Sequence, residues 1–173
     1  MKIQYILGTI ILAFLIISCD PVGNSIASQE ESAQETNLVQ TFENLNLKKG
    51  DKIVIWAVFS ANFYKNDKPP IYSLDYNLSL DDESVSYNSL IMFKKENHII
   101  NSSYKVDYHE KIVIDSHSTT TEEEEFKDWT FEQEIITIEI PKDGNYIFEY
   151  KILMESNPSK LSFPKVGLII RKL

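Results

Sequence analysis

From Tyr72 to Leu80 every second residue is apolar: Tyr72, Leu74, Tyr76, Leu78 and Leu80 alternate with Ser73, Asp75, Asn77 and Ser79. Successive side chains on a strand point to opposite faces, so this spacing predicts a half-buried strand. The same period returns in Ile136, Ile138 and Ile140, and again in Tyr146, Phe148, Tyr150 and Ile152. Pro141-Lys142-Asp143-Gly144-Asn145 stands between those runs. Its Asp-Gly pair supplies the positive φ of a tight turn, and residues 130–154 therefore read as a β-hairpin. Lys48-Lys49-Gly50-Asp51 is a turn of the same kind, with Leu45 and Leu47 alternating before it. Lys52 to Phe59, KIVIWAVF, is nearly continuous apolar, as in a central strand covered on both faces.

Ser84–Phe93, Tyr104–Tyr108, Glu110–Ser116 and Lys165–Lys172 supply further strand candidates. Asp81-Asp82, Lys94-Lys95-Glu96-Asn97 and Asn157-Pro158-Ser159 read as turns between them. No stretch past residue 48 sustains a helical period. Leu38, Phe42 and Leu45 fit a short helix and a strand beginning near Val39 equally well. Eight or nine strands joined by short turns predict an all-β fold, an antiparallel β-sandwich with jelly-roll or immunoglobulin-like connections.

The start of the chain follows another pattern. Lys2 is followed by Ile3–Ile17, apolar apart from Gln4, Gly8 and Thr9. That is the length of a signal-peptide apolar core and short of the ~20 residues of a membrane-spanning helix. It ends in Ile16-Ile17-Ser18-Cys19, and Cys19 is the sole cysteine. This ending resembles the bacterial lipobox. The resemblance implies a lipoprotein signal peptide over 1–18, cleavage before Cys19, a diacylglycerol thioether on its sulfur and a palmitate-type acyl chain on the new amino terminus. Asp20 follows, which leaves inner and outer membrane open. Asp20 to Asn37 is polar and rich in Ser, Gln and Glu, so 19–37 reads as a lipidated flexible tether. At ~5–6 Å × √n such a tether reaches roughly 20–25 Å. Residues 38–173 then form a single β-sandwich domain.

A second resemblance is confined to Ile138-Glu139-Ile140-Pro141-x-x-Gly144-x-Tyr146-x-Phe148-x-Tyr150. This run is similar to the penultimate hairpin of small sandwich modules such as GOLD-like and carbohydrate-binding-like domains. It implies architecture and transfers no binding residue.

Composition narrows the function. The chain has 17 basic and 26 acidic residues, a net charge of −9, and loss of Lys2 with the signal would make it −10. Such a surface is repelled by nucleic-acid phosphates and by anionic lipid. One cysteine allows no intrachain disulfide, so the core must hold the fold by itself. Only Gly50, Gly144 and Gly167 lie past the tether, which leaves no glycine-rich phosphate loop.

Candidate chemistry is sparse. Glu122-Glu123-Glu124-Glu125, with Asp128, is the densest acidic block. Calcium loops space their ligands so that the backbone wraps the ion, whereas consecutive glutamates point apart, so a solvated loop is the expectation. His98, His109 and His117 lack metal-ligand spacing, and no metal site or cofactor beyond the lipid is expected. No nucleophile-elbow motif occurs, and no catalytic residue is assigned. The segment Asn62 to Pro70 joins two strands and carries Phe63, Tyr64, Pro69 and Pro70. Phe63 and Tyr64, and Phe126 and Trp129 beside the acidic block, are the candidate ligand-binding aromatics. Held on loops they would stack on sugar rings or fill a partner's pocket; the alternative is that they cap the core.

The expected function is a non-catalytic binding or assembly module, held on a membrane of the bacterial cell envelope by its lipid, for an envelope protein partner. A carbohydrate-binding module using the loop aromatics is the alternative, and a cryptic hydrolase comes last.

Overall fold

The computed structural model describes residues 22–32, 37–64, 71–115, 118–156 and 162–173. The segment read as a signal peptide and Cys19 lie outside the described residues, as do Lys65–Pro70, His117 and the Asn157-Pro158-Ser159 turn. Among the described residues there are nine strands and no helix. In chain order they are β1 (Asn24–Ser32), β2 (Val39–Leu47), β3 (Lys52–Tyr64), β4 (Ile71–Leu80), β5 (Glu83–Ile91), β6 (Ile99–Asp115), β7 (Ser118–Glu139), β8 (Gly144–Ser156) and β9 (Ser162–Lys172).

They form two antiparallel sheets, ordered β1-β9-β3-β7-β6 and β2-β8-β4-β5. The pairs are nested: β1 with β9, β2 with β8, β3 with β7, and β4 with β5. The chain is thus one long hairpin folded over on itself. This is the jelly-roll, with β6 added as an extra edge strand outside β7. The tip of the long hairpin is Asp81-Asp82, with φ of 52° and 64°. Positive φ at both central residues is the two-residue turn whose twist matches its flanking strands, and aspartate tolerates it better than most L residues.

Two expectations are corrected by this winding. Residues 130–154 are not a hairpin, because β7 pairs with β3 and β6 in one sheet while β8 pairs with β2 and β4 in the other. The Pro141–Asn145 segment is a corner between sheets. Gly144 does not adopt positive φ; a Cβ there would meet Leu80 Cδ1 at 2.5 Å, so glycine here lets the buried Leu80 side chain pack against the backbone. Lys48–Asp51 likewise crosses between sheets, with Gly50 at φ 86°. The two corners are neighbours. Lys49 N donates to Asp143 Oδ1 (2.8 Å) and Gly50 N to the Ile140 carbonyl (2.8 Å).

A third correction concerns the tether. Asn24–Ser32 is not part of a flexible linker but an edge strand, in register with β9 from Asn24↔Lys172 to Ser32↔Lys165. A polar strand suits an edge that needs only backbone pairing and one half-covered face. Ala27 and Gln29 are half-buried, and Gln29 Nε2 donates to Gln40 Oε1 of β2 (3.1 Å).

The core lies between the sheets. Ile53, Ile55, Ala57 and Phe59 of β3 and Val166, Leu168 and Ile170 of β9 face Leu74, Leu78, Tyr146, Phe148 and Ile152 across it, all buried. β3 is central and covered on both faces, as its apolar run predicts. On its outer side Trp56 is buried beneath the Arg171 guanidinium (5.9 Å) and the His98 ring (5.8 Å).

Candidate binding surfaces

β3 ends its pairing with β7 at Tyr64↔Phe126, but β7 begins eight residues earlier, at Ser118. From Tyr108↔Glu125 to Asp115↔Ser118, β7 therefore pairs, among the described residues, with β6 alone. This two-stranded arm runs about 25 Å beyond the sandwich at roughly 3.3 Å per residue. Residues opposite one another in register share a face, and alternate residues change face. The arm's face continuous with the core carries Tyr108, Ile112 and Ile114, exposed by 67, 67 and 79 %, with Glu110, Glu123 and Glu125 interleaved among them. At the arm's base the half-exposed Tyr104 packs edge-on against Trp129 (6.2 Å). The acidic block is not a loop, as expected from sequence, but part of this arm. Strand alternation sends Glu122 and Glu124 to one face and Glu123 and Glu125 to the other. Glu124 meets Lys111 (3.8 Å) and Glu125 meets Lys127 (3.3 Å). From Tyr108 to Glu125 the sequence holds six carboxylates against one lysine.

The four candidate aromatics stand on strands rather than loops. Phe63 and Tyr64 end β3, while Phe126 and Trp129 belong to β7. Tyr64 packs edge-on against Phe126 (5.2 Å), and Phe126 stacks on His109 (4.7 Å). Trp129 points to the opposite face, packs on Phe131 (4.5 Å) and donates Nε1–H to Ser102 Oγ (3.2 Å). Phe126 and Trp129 therefore cannot share one stacking platform. Their parity in a strand decides this, and a loop reading hides it.

Two concave surfaces went unread in the sequence. The first is a cleft of about 520 Å³ at the open edge between the sheets, where the chain passes from β5 to β6. Phe59, Met92, Phe93 and Phe131 form its depth, Ile71, Ile91, Ile99 and Trp129 its sides, and Lys94 and Lys95 its rim. Phe93 holds φ at 58°, a left-handed backbone that costs a bulky L residue roughly 1–2 kcal/mol. The conformation turns its ring inward against Phe59 (5.1 Å), Phe131 (5.5 Å) and Tyr72 (5.9 Å). The sequence signal was present in Ile91-Met92-Phe93, three consecutive apolar residues that break the alternation just before Lys94-Lys95.

The second is a wide trough of about 940 Å³ on the outer face of the four-stranded sheet. Asp75 lies in register with Lys151 and Ser89, and Asn77 with Glu149 and Tyr87, so two transverse rows of polar side chains cross it. Tyr87 is exposed by 79 %. Ser84 Oγ donates to Asn77 Oδ1 (2.6 Å) and fixes that amide.

Elsewhere two ion pairs join charged side chains of β9 to β7 and to the Lys48–Asp51 corner. Arg171 Nη2 donates to Glu132 Oε2 (2.6 Å), whose Oε1 accepts from Asn101 Nδ2 (2.7 Å). Lys172 Nζ meets Asp51 Oδ2 (2.6 Å). Among the described residues no three His, Cys, Asp or Glu side chains converge as metal ligands. Compared with protein-family models, with curated proteins and with solved structures, the chain matches none.

Proposed function

We propose that this protein is a lipid-anchored component of a bacterial envelope, and that its jelly-roll is a non-catalytic module that holds a protein partner through the β6–β7 arm. The observation that carries this reading is the set of exposed apolar side chains on one face of the arm. A lone two-stranded ribbon is marginal in water, and here one face presents Tyr108, Ile112 and Ile114 to solvent. A partner laid on that face would bury it and supply the missing layer. Glu110, Glu123 and Glu125 share that face, so they favour a partner that sets basic side chains among its apolar ones. β6 is also an edge strand, so the partner can add backbone hydrogen bonds along it. The lipid on Cys19 would hold the module near that partner and raise its effective concentration.

The test is a photo-crosslinker placed at position 112 or 114 in cells at native abundance. One stoichiometric protein neighbour is expected at both positions, and none when the crosslinker replaces Tyr87. Ile112→Asp with Ile114→Asp should remove the neighbour while leaving the melting temperature unchanged, because exposed substitutions cost within about 0.5 kcal/mol. Capture undiminished by the double variant would sink the reading. For the anchor, Cys19→Ser should accumulate as uncleaved precursor.

A second reading, glycan binding, is favoured by one observation: Tyr87 stands exposed beside the fixed amide of Asn77 in the outer trough. A sugar ring would stack on the tyrosine and take hydrogen bonds from the two polar rows. Titration of envelope glycans would then give saturable binding that Tyr87→Ala abolishes.

A further inference from the structure

We propose that the cleft at the open edge of the sandwich binds a single-chain carboxylate amphiphile, a long-chain fatty acid, with its chain between the sheets and its carboxylate at Lys94 and Lys95. Three features converge on this ligand. The depth of the cleft is apolar and aromatic, with Phe59, Phe93 and Phe131 in mutual contact around it and Met92 beside them. Its rim carries two adjacent lysines in a protein whose net charge is −9, and neither lysine takes part in an ion pair among the described residues. Both are exposed and line the mouth of an apolar slot, where their long side chains can reach an anionic head whose apolar tail fills the slot. The third feature is size. At roughly 30 Å³ per water-sized group, 520 Å³ accommodates about 17 heavy atoms, one fatty-acyl chain and not the two chains of a phospholipid.

The backbone at Phe93 agrees with such a role. A residue held in the left-handed region next to a cleft is strain that packing alone rarely selects, since a glycine or asparagine would hold that turn more easily. Here the strain sets the aromatic wall. The Lys94 carbonyl accepts from both Gln133 Nε2 (2.7 Å) and Asn97 N (3.2 Å), so the backbone of the lysine rim is fixed to β7.

The experiment is titration of the folded protein with monomeric tetradecanoate brominated on its chain. Bromine quenches tryptophan only at close range. Trp129 lines the cleft, and Trp56 is buried on the outer side of the five-stranded sheet. Saturable, partial quenching is expected. Lys94→Glu with Lys95→Glu should weaken it roughly tenfold, the loss expected when two exposed charge contacts are reversed. Quenching by the uncharged methyl ester of the same chain should be unchanged by that substitution. Both lysines are exposed, so the variant should fold. Three results would overturn the proposal: no saturable quenching, equal response of wild type and the lysine variant to the carboxylate, or sedimentation with phosphatidylglycerol vesicles in place of monomer binding.

Discussion

The hydroxyl of Tyr72 is buried between the sheets and meets no hydrogen-bond partner among the described residues. Burial pushes its ionisation up to about 12. Two outcomes follow at this residue. Tyr72→Phe removes a desolvated hydroxyl and keeps the ring, so it should stabilise the fold by up to about 1 kcal/mol in urea denaturation. At alkaline pH the unfolded chain loses this proton near its ordinary value of 10 while the folded chain keeps it to about 12. The unfolded state then binds fewer protons, and stability must fall across that window by as much as about 3 kcal/mol. The Phe variant should lack this part of the alkaline loss. Asp51 behaves in the opposite sense. The Lys172 ammonium and then the Lys48 N–H hold its carboxyl below the usual carboxylate range. Its contribution is present above that range and is lost as pH falls through the depressed value. Asp51→Asn should lower the melting temperature at neutral pH, and the difference from wild type should vanish in acid.

At the scale of elements, β1 and β2 show what a pattern conceals. Leu38, Phe42 and Leu45 mimic helical spacing because a bulge between Phe42 and Leu45 inserts one extra residue into β2, with Asn44 at φ 59°. A bulge shifts the parity of the inward face, so neither period 2 nor period 3.6 fits across it. β1 was illegible for another reason. An edge strand held mainly by its backbone has no need of an apolar face, and NSIASQEES resembles a linker in composition. What holds it is visible on its partner. A Cβ on Gly167 of β9 would collide with the Gln29 carbonyl of β1. Gly167→Val should therefore detach β1, raising hydrogen exchange in residues 24–32 and costing about 1–3 kcal/mol overall. The acidic block and the four candidate aromatics were legible as residues and not as geometry. Their faces depend on strand parity, and the expectation of loops removed parity from consideration.

The whole molecule is wound from nested pairs, from Asn24 with Lys172 at the outside to the Asp81-Asp82 turn at the centre. Five of the seven strand pairings close long loops, the exceptions being the β4–β5 and β6–β7 hairpins, and that entropy must be lost before the contacts reward it. Stopped-flow refolding should accordingly run in the millisecond-to-second range of non-local β proteins, and a microsecond phase recovering full signal would contradict the nested order. The sequence by itself determined that the chain is β, that β3 is central, that the faces of β4 and β8 alternate, and that the surface is acidic. All of these follow from local period and composition, which strand geometry converts directly into faces. It also set out the signal-like start and Cys19, which rest on pattern alone. Only the tertiary structure decided which strands pair, turning two apparent hairpins into corners between sheets. It also decided that residues distant in sequence close the cleft beside Phe93 and that no strand among the described residues covers the β6–β7 arm. Pairing is chosen by the burial of whole faces against one another, a property of all the strands together that no single stretch of sequence carries.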